Sequence, residues 1–131
     1  MTRIIITGAN GKMGHVIRSV VAGREDCTVV AGVDFNTQAA DFPIYKTIAE
    51  VQEEADVIID FSNPALLDDL LTYSVAKSMP LVIATTGYTA EQKAKIEAAA
   101  EKCPIFFTYN MSMGINLLAT LAQKAVNVLG P

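Results

Sequence analysis

The sequence predicts an α/β fold, an open and mainly parallel sheet wound with helices on both faces. Two observations predict it. Short apolar, β-branched runs alternate with helical stretches along the chain, and that alternation pairs strands in parallel through right-handed crossovers. The first run, Ile4-Ile5-Ile6, turns through Gly8, Gly11 and Gly14 straight into a helix, the join that opens a dinucleotide-binding βαβ unit.

Strand one is read as Arg3 to Thr7, unbroken in its apolar run because a parallel strand is buried on both faces. Helix one follows from about Lys12 to Ala22 and stops near Gly23. In the turn between them, Gly8 permits positive φ, Gly11 leaves no Cβ in the way of a pyrophosphate, and Gly14 lets the helix lie close to the strand. The helix N-terminus then offers free N–H groups to the phosphates. The spacing is G-x-x-G-x-x-G, not the commoner G-x-G-x-x-G, and glycines alone also fit an ordinary strand–turn–helix. Strand two, Thr28 to Val33, delivers Asp34, twenty residues beyond Gly14, where an acidic residue holds ribose hydroxyls in this fold.

Phe35 to Pro43 reads as a polar loop and Ile44-Tyr45 as a short third strand. Thr47 with Glu50 predicts a capping box and a short helix ending near Glu54. Val57 to Phe61 is strand four. Asn63 and Pro64 are the N-cap and first turn of a helix running to about Lys77. Leu81 to Thr85 is strand five. Thr89 with Gln92 predicts a second capping box, its helix reaching Lys102. Ile105 to Thr108 is strand six, Asn110 to Gly114 a turn-rich loop, and Ile115 to Val128 a final amphipathic helix. No internal repeat, low-complexity segment or linker interrupts the series.

At 131 residues the chain fits one domain able to bury a core, and 51% apolar residues is a globular composition. No apolar run approaches the roughly 20 residues of a bilayer span, and the N-terminus reads as no signal peptide, so membrane association is not expected. Cys27 and Cys103 make neither a disulfide framework nor a metal cluster; they read as reduced structural thiols of a cytoplasmic protein with no metal. A net charge of −4 without a basic stripe argues against nucleic acid. An anionic cofactor must therefore be held by local dipoles and a few side chains.

Ligands of doubly wound sheets sit beyond the carboxyl ends of the strands. The residues there include Lys12, Asp34 and Phe35, Asp60 to Pro64, Thr85 to Tyr88, and Tyr109 to Gly114. Strand ends carry turn formers in any case, and Asn63-Pro64 is already explained as a cap. The polar density of Thr85-Thr86-Gly87 and Asn110-Met111-Ser112 favours function.

Four segments occur in order: Gly-Ala-Asn-Gly-Lys-Met-Gly at 8–14, Asp-Phe-Ser at 60–62, Ala-Thr-Thr-Gly-Tyr at 84–88 and Asn-Met-Ser-Met-Gly-Ile-Asn at 110–116. Together they closely resemble the N-terminal nucleotide-binding domain of bacterial dihydrodipicolinate reductase (4-hydroxy-tetrahydrodipicolinate reductase), an oxidoreductase of lysine and diaminopimelate synthesis, over essentially the whole chain. The resemblance implies a Rossmann-type fold in which Gly8, Ala9, Asn10, Gly11, Lys12 and Met13 hold the pyrophosphate and Asp34, followed by Phe35, the adenosine ribose. It implies that Phe61, Ala84, Thr85 and Thr86 line the nicotinamide half, Ala84 through its backbone, and that Tyr109, Asn110 and Met111 complete the cleft. Ala84 stands where many members have Gly, and Met111 where the family often has Phe. The family's His-His-x-x-Lys-x-Asp motif and Ser-Gly-Thr anion turn, its dicarboxylate substrate site and its homotetramer contacts are expected in a second domain absent from residues 1–131.

The cofactor expected is NADH or NADPH. Asp34 favours NADH, since it repels a 2′-phosphate and Phe35 to Gln38 include no cation; Lys12, which can reach such a phosphate, limits the preference. No residue of the chain reads as a general acid. His15 is the only histidine and falls beside the phosphates, and Lys77, Lys93, Lys95 and Lys102 fall on solvated helix faces. The chain alone is expected to bind cofactor without turnover. The alternatives are a stand-alone, non-catalytic dinucleotide-binding or redox-sensing module, and another small-metabolite dehydrogenase of similar N-terminal architecture.

Overall fold

A computed structural model of the chain describes residues 2–38, 41–83 and 88–107. Its six strands are β1 Thr2–Thr7, β2 Cys27–Val33, β3 Ile44–Tyr45, β4 Val57–Asp60, β5 Leu81–Ile83 and β6 Ile105–Phe107. They form one sheet in the order β3-β2-β1-β4-β5-β6, every pair parallel. Among the described residues the α-helices are α1 Lys12–Ala22, α2 Leu67–Lys77 and α3 Ala90–Ala100.

The pleat sends alternate residues to two cores, which is why these strands are apolar without interruption. Ile4, Ile6, Val57, Ile59 and Val82 join Ile17 and Val21 of α1 on one face. Ile5, Ile58, Leu81 and Ile83 join Leu67, Leu70 and Leu71 of α2 and Ile96 and Ala99 of α3 on the other. The expected doubly wound sheet is therefore present, with α1 on one face and α2 and α3 on the other. The β1–β2 register slips once, between Ile4 and Ile5, so that Val30 bulges out of the ladder. From the central strand β1 the chain winds first to β2 and β3, then returns to build β4, β5 and β6 on the other side. That reversal opens a crevice at the carboxyl ends of β1 and β4.

Asn63 caps as expected, its Oδ1 accepting the Ala65 N–H at 2.8 Å, although Pro64–Leu66 is a 3₁₀ turn before α2 begins. The Thr89–Gln92 capping box is complete: the Gln92 N–H donates to Thr89 Oγ1 at 3.1 Å and the Thr89 N–H to Gln92 Oε1 at 2.9 Å. The Thr47–Glu50 box does not form. Ile48–Glu50 is a single 3₁₀ turn, Val51 leaves it in extended geometry, and the Glu50 N–H donates to the Thr47 carbonyl, so the hydroxyl has no amide to accept. Strands five and six are described only to Ile83 and Phe107; Ala84, Thr85, Thr86, Tyr109, Asn110, Met111 and the helix expected over 115–128 lie outside the described residues.

Both cysteines are buried and free, and burial pushes both thiols up. Arg3 pins the approach to β4: its Nη2 meets Asp56 Oδ1 at 3.1 Å, and this hydrogen-bonded guanidinium holds the Asp56 carboxyl below its usual range. Among the described residues no group could hold a metal ion, and no helix is long and apolar enough to cross a membrane.

Candidate functional site

The crevice is built around the glycine turn. The Gly8 N–H donates to the Val33 carbonyl at 2.7 Å, tying the end of β1 to the end of β2, and Gly8 takes φ of +75°. A Cβ at Gly8 would lie 2.6 Å from the Phe61 carbonyl oxygen, and one at Gly14 only 2.2 Å from that of Gly8. Both glycines are thus required by close backbone packing. Gly11 differs: a Cβ there would meet only the Gly8 carbonyl, at 3.3 Å, and otherwise opens into the cleft. It is the N-cap of α1, with no side-chain cap and no acidic residue in the first turn. The first turns of α2 and α3 carry Asp68, Asp69 and Glu91 instead. The amides of the α1 terminus and its partial positive charge are therefore open to an anion.

Asp34 stands at the end of β2 and is bonded to this turn. Its Oδ2 accepts the Asn10 N–H at 2.9 Å and its Oδ1 the Asn36 N–H at 2.9 Å. A carboxylate has about four acceptor positions, so two amides leave capacity for hydroxyls. Asn10 spans the loops: its amide donates to the carbonyls of Asn36 and Gln38, and its Oδ1 accepts from Arg18 Nη1 at 3.1 Å. Arg18 also bonds the Ala9 carbonyl and lies over the Phe42 ring at 4.9 Å. Phe35, 67% exposed, stands on the rim beside Asp34.

On the other side, Asp60 is 1% exposed and holds the end of β4. It accepts from the Thr7 and Ser62 hydroxyls, from the Ser62 N–H at 2.9 Å and from Tyr88 OH at 3.2 Å. This network presses the Phe61–Ser62 peptide against Gly8. The cleft between the two walls, of about 200 Å³, is lined by Gly8, Gly11, Asp34, Phe35, Lys46, Phe61 and Ser62 among others. A larger groove, of about 490 Å³, lies along His15, Arg18, Arg24 and Cys27. It borders the start of β2, away from the strand ends where this fold takes ligands.

The structure thus brings together Gly8, Gly11, Asp34, Phe35 and Phe61, with Asn10 bonded to Asp34. Lys12 is exposed and Met13 half-buried beside Gly11. Ala9 is 0% exposed and packed over Gly32, where it supports the turn. Phe61 shares its cleft with Asp34 and Phe35, the ribose end of the expected arrangement. Lys46 escaped the sequence reading, although it directly follows the third strand and the strand-end rule applied there would have found it.

The family described as dihydrodipicolinate reductase, N-terminus, matches residues 2–111. Curated relatives include a 4-hydroxy-tetrahydrodipicolinate reductase of Caldanaerobacter subterraneus subsp. tengcongensis, 46% identical over 129 residues, 98% of this chain and 51% of the relative. One of Clostridium novyi is 44% identical over 94% of this chain and 49% of its own length. The chain spans about half the length of these relatives. Among solved structures, a dipicolinate-bound dihydrodipicolinate reductase from Paenisporosarcina sp. TG-14 superposes with a TM-score of 0.74 at 26% identity, over 95% of this chain and 53% of that one. A myo-inositol dehydrogenase from Corynebacterium glutamicum, with a TM-score of 0.70 at 23% identity over all of this chain and 43% of that one, shares the fold.

Proposed function

This chain belongs to the dihydrodipicolinate reductase family, matching its N-terminal part, and from that membership we propose that residues 1–131 are the NAD(P)H-binding domain of a 4-hydroxy-tetrahydrodipicolinate reductase. The observation that carries the reading is the open, acid-free N-terminus of α1, reached through Gly11 and flanked by a carboxylate bonded to the same turn. In this proposal the α1 amides and Lys12 take the pyrophosphate. Asp34 accepts the adenosine ribose hydroxyls, and Phe35 gives the adenine an apolar face. Thr85, Thr86, Tyr109, Asn110 and Met111 would serve the nicotinamide half, as the family resemblance implies.

Reduced nicotinamide supplies the hydride in such a reductase. The part of this chain is to bind and orient the ring and to keep water from it, which makes transfer effectively intramolecular. The dicarboxylate substrate and the general acid fall to residues beyond 1–131. The family match favours this reading over a free-standing dinucleotide module.

Calorimetric titration with NADH tests it. Wild type binds, and Gly11→Val weakens binding by more than about tenfold, ~1.4 kcal/mol, because its side chain occupies the cleft. Equal affinities would overturn the assignment. NADH is favoured over NADPH by at most about tenfold, since Asp34 opposes a 2′-phosphate; a clear NADPH preference in a side-by-side titration would reverse that reading of Asp34.

A further inference from the structure

We propose that Lys46 is a specificity residue of the cleft, the cation that lets its ribose end accept a 2′-phosphorylated adenosine despite Asp34. The inference rests on the dinucleotide reading and deepens it. β3 pairs with β2 in parallel, with Val33 opposite Tyr45, and the Asp34 N–H donates to the Tyr45 carbonyl at 2.9 Å. Lys46 therefore leaves its strand directly beside Asp34, two strands outward from the glycine turn. Adjacent strands lie about 4.8 Å apart, a gap that a four-carbon lysine stem spans. Its side chain lines the same cleft as Asp34 and Phe35.

Two further observations point to an anion. Among the described residues the ion pairs are Arg3–Glu54, Arg3–Asp56, Arg24–Asp26 and Lys95–Asp68, so the Lys46 ammonium is committed to neither Asp34 nor Asp69. Asp69 lines the small cavity next to the cleft together with Lys46 and Thr47. The Thr47 hydroxyl caps no helix, and Thr47 lines that small cavity beside Lys46. A ribose 2′-phosphate beside Asp34 meets one carboxylate and one uncommitted cation. The ammonium then offsets the Asp34 carboxylate, which by itself would repel the phosphate.

The test titrates the 131-residue chain and its Lys46→Ala and Lys46→Arg variants with adenosine 2′,5′-bisphosphate, adenosine 5′-monophosphate, NADPH and NADH, at low and high salt. Lys46→Ala weakens the two 2′-phosphorylated ligands by about tenfold, the scale of one charge-assisted contact. It leaves the other two unchanged, Lys46→Arg retains wild-type discrimination, and high salt closes the gap. Equal loss for all four ligands, or no change in discrimination, would overturn the role of Lys46 while leaving the dinucleotide reading in place. A wild-type chain that binds none of the four would bring down both.

Discussion

One carbon atom separates two different roles among Gly8, Gly11 and Gly14. At Gly14 an added Cβ runs into backbone carbonyls of Gly8 and Ala9 at 2.2 and 2.6 Å, and backbone held by two strands cannot move aside. Gly14→Ala is therefore expected to lower stability by about 3 kcal/mol or more, at the upper end for overpacking, read from the urea midpoint. A variant as stable as wild type would show that the helix does not need this close approach. At Gly11 the same carbon meets only one carbonyl at 3.3 Å, so Gly11→Val should keep a near wild-type midpoint while losing the dinucleotide. The pair of variants separates a residue that holds the turn from one that leaves room for a ligand. The spacing of the three glycines is plain in the sequence, but their division of labour is not, because it depends on Phe61 and Ala9 lying where the sheet puts them.

Helix ends follow local rules only where the chain beyond them stays helical. Thr89 and Gln92 form their box because α3 runs for eleven residues and so continues well past it. Thr47 and Glu50 have the same spacing, but their turn ends after three residues and stays 3₁₀. At the other end of α2, Ser78 takes the left-handed conformation, φ 50° and ψ 39°, that glycine usually fills. The Met79 N–H then donates to the Ser74 carbonyl at 2.8 Å and the Ser78 N–H to that of Val75 at 3.3 Å, closing a Schellman motif. Ser78→Gly removes a strain of about 1–2 kcal/mol and adds chain entropy to the unfolded state. A net gain of about 0.5–1 kcal/mol in chemical denaturation is expected; an unchanged or lower stability would show that the serine is unstrained there.

At the scale of the molecule, the proposed binding sets a chain of net charge −4 to hold an anionic ligand. The fold gathers positive potential for it at one edge: the α1 terminus, Lys12, and Arg18 through Asn10. Among the described residues it gathers no proton donor of the right kind there. His15, the one histidine, is exposed on α1 with its Nδ1 3.4 Å from Arg18 Nη1. A positioned acid commonly contributes ~10²–10⁴ in rate, and substrate clamps add orientation. The 131-residue chain is thus expected to be stabilised by NADH in a thermal melt, yet to show no dihydrodipicolinate-dependent NADH oxidation beside a full-length reductase. Oxidation near the full-length rate would reveal a catalytic group within these residues.

The sequence by itself determined the parallel α/β class, the order of the elements, the glycine turn, the acidic residue closing strand two, and the caps at Asn63 and Thr89. Each of these is written within a few neighbouring residues, as a hydrophobic period, a cap or a turn, so no distant partner is needed to read it. The tertiary structure alone decided that Lys46 stands beside Asp34, that Ala9 is sealed over Gly32, and that Asp60 locks Phe61 against Gly8. Those facts depend on which strands become neighbours and in what register. Parallel pairing joins segments tens of residues apart, and its register is set by the burial of whole sheet faces and by no local signal.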